Sequence, residues 1–141
     1  MTTTKPYKQN LANNKVWRYL PLITAPGEIQ MAIDRWLLQQ CQHQQHLPTL
    51  RFYTWHPAAI SLGYHQKRYP EQWQHLAAKG TLDLVRRPTG GRAVLHQGDL
   101  TYAVVLSGIS GKRLAVYEAI CEFLISGWQQ LGIPLFYGDQ G

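Results

Sequence analysis

The segment Arg86–Tyr102, RRPTGGRAVLHQGDLTY, gathers three arginines, two adjacent glycines and a histidine around one turn. Gly90 and Gly91 lack Cβ, so a turn built on them can adopt positive φ and let a ligand approach bare backbone. Exposed N–H groups in such a turn make a concave anion site. Arg86, Arg87 and Arg92 flank it and can donate planar, paired hydrogen bonds to phosphate or carboxylate. His96, five residues beyond Gly91, can orient an acyl thioester or move a proton. Two plainer readings stand beside these: a tight surface turn with arginines around it, and a histidine hydrogen-bonded within a hairpin. Spacing alone does not separate them. His65, beside a strand end at Gly63, is a weaker candidate, and Asp99 reads most simply as a turn residue.

Some chemistries are excluded. The turn contains no GxxxxGK, and a dinucleotide fingerprint needs three spaced glycines opening a helix. Here the glycines lead into a strand. The other basic residues are scattered rather than spread over one aromatic-studded face, so nucleic acid is not an expected partner. Cys41 and Cys121 fall at apolar helical positions and read as buried thiols in a reducing compartment. His43 and His46 could chelate at their spacing, although a solvated face is the simpler reading, and no metal site is expected.

The elements that must position this turn follow from periodicity. Glu28 to about Gln45 repeats Ile29, Ala32, Ile33, Trp36, Leu37 and Cys41 at helical spacing, which predicts a helix with that apolar face. TLRFYTW (49–55) and AAISLGY (58–64) read as two strands with a turn at His56–Pro57. Residues 70–79 fit a short helix, with Pro70 at its first position and Gly80 past its end. TLDLVRR (81–87) is a strand that delivers Arg86 and Arg87 to the turn. AVLH (93–96) and LTYAVVLS (100–107) read as a hairpin joined by 97–99. A stripe of Tyr117, Ile120, Cys121, Leu124, Trp128 and Leu131 predicts a helix over 114–131, closed by Gly132 and Pro134, and IPLFYG begins a further strand. The expected fold class is α+β, a mixed, mainly antiparallel sheet with helices packed on it.

The chain has 141 residues, 45% apolar and 16% charged, with a formal charge of +6. That is a globular composition, large enough to bury a core without disulfides or metals. The positive charge suits an anionic partner. No run of 18 apolar residues exists to span a membrane, and the polar N-terminus does not resemble a signal peptide. The sequence reads as a loose tail over 1–15 followed by one domain over 16–141, located in the cytoplasm.

RRPTGGRAVLHQGDLTYAVV resembles the signature of the biotin/lipoate protein ligase and octanoyltransferase superfamily, Arg-Arg-x-Ser/Thr-Gly-Gly-Gly/Arg-x-Val-x-His…Tyr. QMAIDRWLL (30–38) is similar to the family's first helix, and LRFYTWHPAAISLGYHQ (50–66) to its following strand pair. The form with arginine after the glycines is most similar to the cysteine-dependent octanoyltransferases of the lipoate-ligase-like branch. The resemblance implies a fold of the class II aminoacyl-tRNA synthetase and biotin synthetase type. It implies transfer of an octanoyl group from acyl carrier protein to a lysine of a lipoyl domain or the glycine cleavage H protein. Lipoate–protein ligases, the alternative, activate lipoate with ATP; no covalently bound cofactor is implied in either case. Acidic carrier domains would suit the basic charge.

Carried over by residue, the resemblance implies that Arg87, Thr89, Gly90, Gly91 and Arg92 line an acyl and phosphate site. Tyr64 and His65 would border it, and His96 would sit beside the thioester carbonyl as an auxiliary group. Arg35 stands where relatives often have glutamate. The family's later lysine segment, and the cysteine before it in the cysteine-dependent branch, find no counterpart. Residues 113–141 hold no lysine and no histidine. The chain therefore resembles the N-terminal half of the catalytic domain: a truncated form, one half of a split enzyme, or a remnant that only binds acyl ligand or carrier protein. No catalytic nucleophile is expected in it.

Overall fold

The computed structural model describes residues 16–42, 47–107 and 112–136. The tail expected over 1–15, and His43 and His46, lie outside these residues. The chain divides into two compact units, one spanning Val16–Ser107 and the other including 112–136.

The first unit is built from two crossover units in succession. β1 (Arg18–Ala25) leads through helix α1 (Gly27–Gln42) to β2 (Thr49–Trp55), and β1 and β2 pair in parallel. β3 (Ala59–Leu62) leads through α2 (Glu71–Ala78) to β4 (Asp83–Arg86), again in parallel. Parallel neighbours need such a crossover, because a tight turn can only reverse the chain. β5 (Val94–His96) and β6 (Thr101–Val105) then add antiparallel edges, β5 to β3 and β6 to β2. The result is two three-stranded sheets, ordered β1-β2-β6 and β4-β3-β5.

The α+β class with mixed sheets and packed helices holds. The expected hairpins do not form: 49–55 and 58–64 fall in different sheets, as do 93–96 and 100–107. β2 and β3 instead pair with the strands that precede or follow them through a helix, and β5 and β6 pair antiparallel with β3 and β2. β1, which the sequence reading assigned to no element, takes one side of β2, and β4 takes one side of β3. Among the described residues the four pairings divide evenly between parallel and antiparallel, so antiparallel pairing does not dominate there. No strand is present over 133–136.

β2 alternates buried and partly buried positions, as a strand covered on one face should. Its buried face carries Thr49, Arg51, Tyr53 and Trp55 against α1. β3 is buried at all four positions and lies centrally in its sheet. Met31, Tyr53, Trp55, Ala59 and Val85 form one core cluster, linking α1 to both sheets. Ile60, Leu62 and Leu82 form a second on the opposite face of β3, covered by Tyr69, Trp73 and Ala77 of the α2 region.

The buried face of α1 differs from the predicted stripe. Gln30, Met31, Asp34, Leu37 and Cys41 turn inward, while Ile29 and Trp36 are half exposed. The reason is Arg51, which is buried in β2 and must be satisfied. Its Nη2 donates to the side-chain oxygen of Gln30 at 2.8 Å, and its Nε lies 2.9 Å from Asp34 Oδ1 as a close ion pair rather than an aligned hydrogen bond. The Tyr53 hydroxyl donates to the other Asp34 oxygen at 2.9 Å.

In the second unit, α3 (Arg113–Gln130) ends as the sequence predicts. Gly132 adopts φ 79° and donates to the Gln129 carbonyl at 2.9 Å, while Ile133 donates back to Trp128. Cys121 is buried, as is Cys41 in α1, but Tyr117, Trp128 and Leu131 of the expected stripe are exposed.

Candidate functional site

β4 ends at Arg86, and the chain then enters the glycine turn beside the end of β3. Main-chain hydrogen bonds lace the two loops together. Arg87 N donates to Leu62 O at 3.0 Å, and Tyr64 N donates to Thr89 O at 2.9 Å. Gly63 fits under the turn so closely that a Cβ there would stand 1.8 Å from Gly91 O. Gly91 itself takes φ 94°, a conformation that favours glycine. Gly90 has neither constraint: a Cβ on it would meet nothing within 4 Å. The turn therefore presents open backbone at Gly90 and is anchored at Gly91.

The arginines divide their roles. Arg86 reaches back under the 63–66 loop, its Nη1 donating to the carbonyls of Gly63 at 2.7 Å and Gln66 at 2.8 Å. Arg87 folds over its own turn. Its Nη2 donates to Gly90 O at 2.8 Å and Arg92 O at 2.7 Å, and its Nη1 to Ser61 O at 2.8 Å. Burial depresses the Arg87 guanidinium from its ordinary value. Arg92 is exposed beside the turn, and so are Thr89, Tyr64 and His65, the last two in edge-to-face contact at 4.8 Å. Thus Arg87 holds the shape of the site, while Arg92 is the cation at its surface.

His96 lies behind the turn rather than on it. It is 6% exposed and stacks on Trp55 at 4.1 Å. Both ring nitrogens are engaged, Nε2 with Ser61 Oγ at 2.8 Å and Nδ1 with Asp99 Oδ2 at 2.9 Å. Asp99 Oδ2 also accepts from Thr101 Oγ1 at 2.9 Å. Burial works to raise the Asp99 carboxyl, but the hydrogen bonds from His96 and Thr101 outweigh it and hold the group below its ordinary range. The turn over 97–99 forms, with Gly98 at φ 79°, yet it carries the chain from one sheet to the other.

The structure thus brings Tyr64, His65, Arg87, Thr89, Gly90, Gly91 and Arg92 together at one surface and places His96 beneath it. Sequence reasoning missed Ser61, Gly63 and the part Asp99 plays. Ser61 and Gly63 sit within an apolar strand pattern that gives no sign of a buried hydroxyl or a backbone contact. Asp99, three residues after His96 in a turn, offered the only readable hint. Among the described residues no cluster of three or more histidine, cysteine, aspartate or glutamate side chains could hold a metal, and no helix is long and apolar enough to cross a membrane.

The sequence profile of the lipoyl protein ligase A/B catalytic domain matches residues 26–140. The chain is 42% identical over 123 residues to the octanoyltransferase LipM of Carboxydothermus hydrogenoformans, covering 84% of this chain and 46% of that protein. It is 40% identical over 121 residues to the octanoyltransferase LipM of Brevibacillus brevis, covering 83% of this chain and 44% of that protein. Among solved structures, lipoate-protein ligase A bound with ATP superposes with a TM-score of 0.73 at 27% identity, over 88% of this chain and 50% of that one. A bi-partite lipoate protein ligase from Thermoplasma acidophilum, described with its E2 lipoyl domain, gives 0.63 at 25% identity, over 86% of this chain and 49% of that one. The chain spans about half the length of the relatives it matches.

Proposed function

Because the chain belongs to the lipoyl protein ligase A/B catalytic domain family, we propose that it forms the acyl-donor wall of an octanoyl transfer reaction in protein lipoylation. The donor is octanoyl carrier protein, and the acceptor is a lysine of a lipoyl domain or of the glycine cleavage H protein. The reading places this chemistry in the cytoplasm.

The observation that carries it is the open backbone at Gly90, held by the Arg87 fork and bordered by Tyr64, His65, Thr89 and Arg92. Bare backbone lets an acyl thioester lie against the turn, and preorganised donors there would meet charge developing on its carbonyl oxygen. Arg92, exposed beside the turn, would meet a pantetheine phosphate. His96, with both nitrogens engaged below the surface, supports the turn rather than meeting the thioester. No covalent nucleophile is assigned to this chain, and Cys121 is buried on α3.

The octanoyltransferase reading is favoured over an ATP-dependent ligase because the relatives at 42% and 40% identity are octanoyltransferases, whereas the ligase structures stand at 27% and 25%. Calorimetric titration separates the two. Octanoyl carrier protein should bind without nucleotide. Binding of lipoate that requires ATP, with none of octanoyl carrier protein, would establish the ligase instead. Failure of both would leave neither transfer reading standing.

A further inference from the structure

Behind the glycine turn runs a continuous chain of side-chain hydrogen bonds that ends on Arg87. Trp55 Nε1 donates to Thr101 Oγ1 at 2.8 Å, and Thr101 Oγ1 donates to Asp99 Oδ2 at 2.9 Å. Asp99 Oδ2 faces His96 Nδ1, His96 Nε2 faces Ser61 Oγ, and Arg87 Nη1 donates to Ser61 Oγ at 3.2 Å. Ser61 is 1% exposed.

The donor and acceptor inventory orients every link. An ionised carboxylate only accepts, so the proton between His96 and Asp99 sits on Nδ1. In the neutral ring a proton on Nδ1 leaves a lone pair on Nε2, and to that lone pair Ser61 donates its hydroxyl hydrogen. That leaves the Ser61 oxygen as an acceptor for the Arg87 guanidinium, which can only donate. Reversing the imidazole tautomer would leave the Ser61 oxygen accepting from both Nε2–H and Nη1–H, with its own hydroxyl hydrogen turned away from the ring. It would also place a bare nitrogen against a carboxylate. Register explains how the links meet. Ala59 pairs with His96 and Ser61 with Val94, so Ser61 and His96 are diagonal neighbours on one face of the sheet. Trp55, stacked on the imidazole, fixes the ring plane from the other sheet.

We propose that Asp99, His96 and Ser61 form a one-directional hydrogen-bond relay that fixes the Arg87 fork and thereby the glycine turn, making all three positioning residues. Arg87 is the hinge of the effect, because the same guanidinium holds Ser61 through Nη1 and the carbonyls of Gly90 and Arg92 through Nη2. The relay acts on the site of the proposed function, but its test reads the turn itself. A failure of the relay and a failure of acyl binding are therefore told apart.

The test is nuclear magnetic resonance on the full chain, without ligand. At neutral pH the His96 ring should show a protonated Nδ1 and a bare Nε2 in its nitrogen shifts. Asp99→Asn, which can turn a donor toward Nδ1, should move the proton to Nε2. It should also collapse the separate Nη signals of Arg87 and shift the amides of Gly90, Gly91 and Arg92. Ser61→Ala should disturb Arg87 and the same amides while leaving His96 on Nδ1. An unchanged dispersion of the remaining amide signals in both variants should report an intact fold. A wild-type His96 protonated on Nε2, or two folded variants with unchanged Arg87 and Gly90–Arg92 signals, would overturn the relay. Should one variant fail to fold, the wild-type tautomer and the other variant still decide it.

Discussion

Gly63 and Gly91 belong to different loops, yet a Cβ on Gly63 would fall 1.8 Å from the carbonyl oxygen of Gly91. No side chain can be accommodated there unless the backbone of the turn moves. Gly63→Ala is therefore expected to cost about 3 kcal/mol, the upper part of the usual overpacking range. Denaturant unfolding would measure the loss, and a change below about 0.5 kcal/mol would show that the two loops are not locked together.

Arg87→Lys is the corresponding test of the fork. Lysine carries a compact charge and cannot bridge Ser61 O, Gly90 O and Arg92 O in one plane. With hydrogen bonds from a charged group worth about 1.5–3 kcal/mol each, loss of stability by about 2 kcal/mol is expected. Equal stability of the lysine variant would mean that charge, and not the planar fork, holds the turn.

The buried Arg51 makes a separate prediction about the core. Removing it leaves Asp34 without the cation that opposes its burial, and burial already pushes that carboxyl above its ordinary range. Arg51→Met should cost about 3–5 kcal/mol, as is usual when one partner of a buried pair is lost. The double change with Asp34→Leu should recover part of that, because the orphaned charge goes with it. No recovery in the double variant would assign the cost to packing alone.

Asp99 gives a pH dependence with a defined sign. Its folded-state carboxyl lies below the ordinary value of 3.8. The stability it contributes is therefore fully present above pH 3.8 and is lost as pH falls through the lower folded-state value. The stability gap between wild type and Asp99→Asn should narrow as pH falls below 3.8. A gap that widens on acidification would reverse the sign assigned to this carboxyl.

Much of this was legible in the residues, and the failures have physical causes. The helices over 27–42 and 113–130 form where apolar spacing predicts them and that over 71–78 where its end signals do, because those signals are local. The glycine turn was legible for the same reason. Strand partners were not, since a strand's own pattern does not say which strand it meets. The two helices that cross between strands made parallel neighbours where nearness in sequence suggested hairpins. The inward face of α1 was misjudged because Gln30 and Asp34 are buried to satisfy Arg51, twenty-one and seventeen residues away. Likewise, nothing around Ser61 signals that its hydroxyl links His96 to Arg87.

Gly90 offers the most direct measurement of the turn as an acyl-donor site. Its backbone needs no glycine, and a methyl group there would meet nothing in the folded chain. Gly90→Ala should therefore leave stability within about 0.5 kcal/mol of wild type. A thioester lying against that backbone would meet the methyl directly, and the affinity for octanoyl carrier protein should fall about tenfold, corresponding to ~1.4 kcal/mol. Calorimetric titration of octanoyl carrier protein into both proteins, with unfolding curves for each, reads both quantities. Reduced affinity at unchanged stability is the expected result. Equal affinity in the two proteins, or no binding to the wild type, would contradict the assignment of the Gly90 surface to the acyl donor.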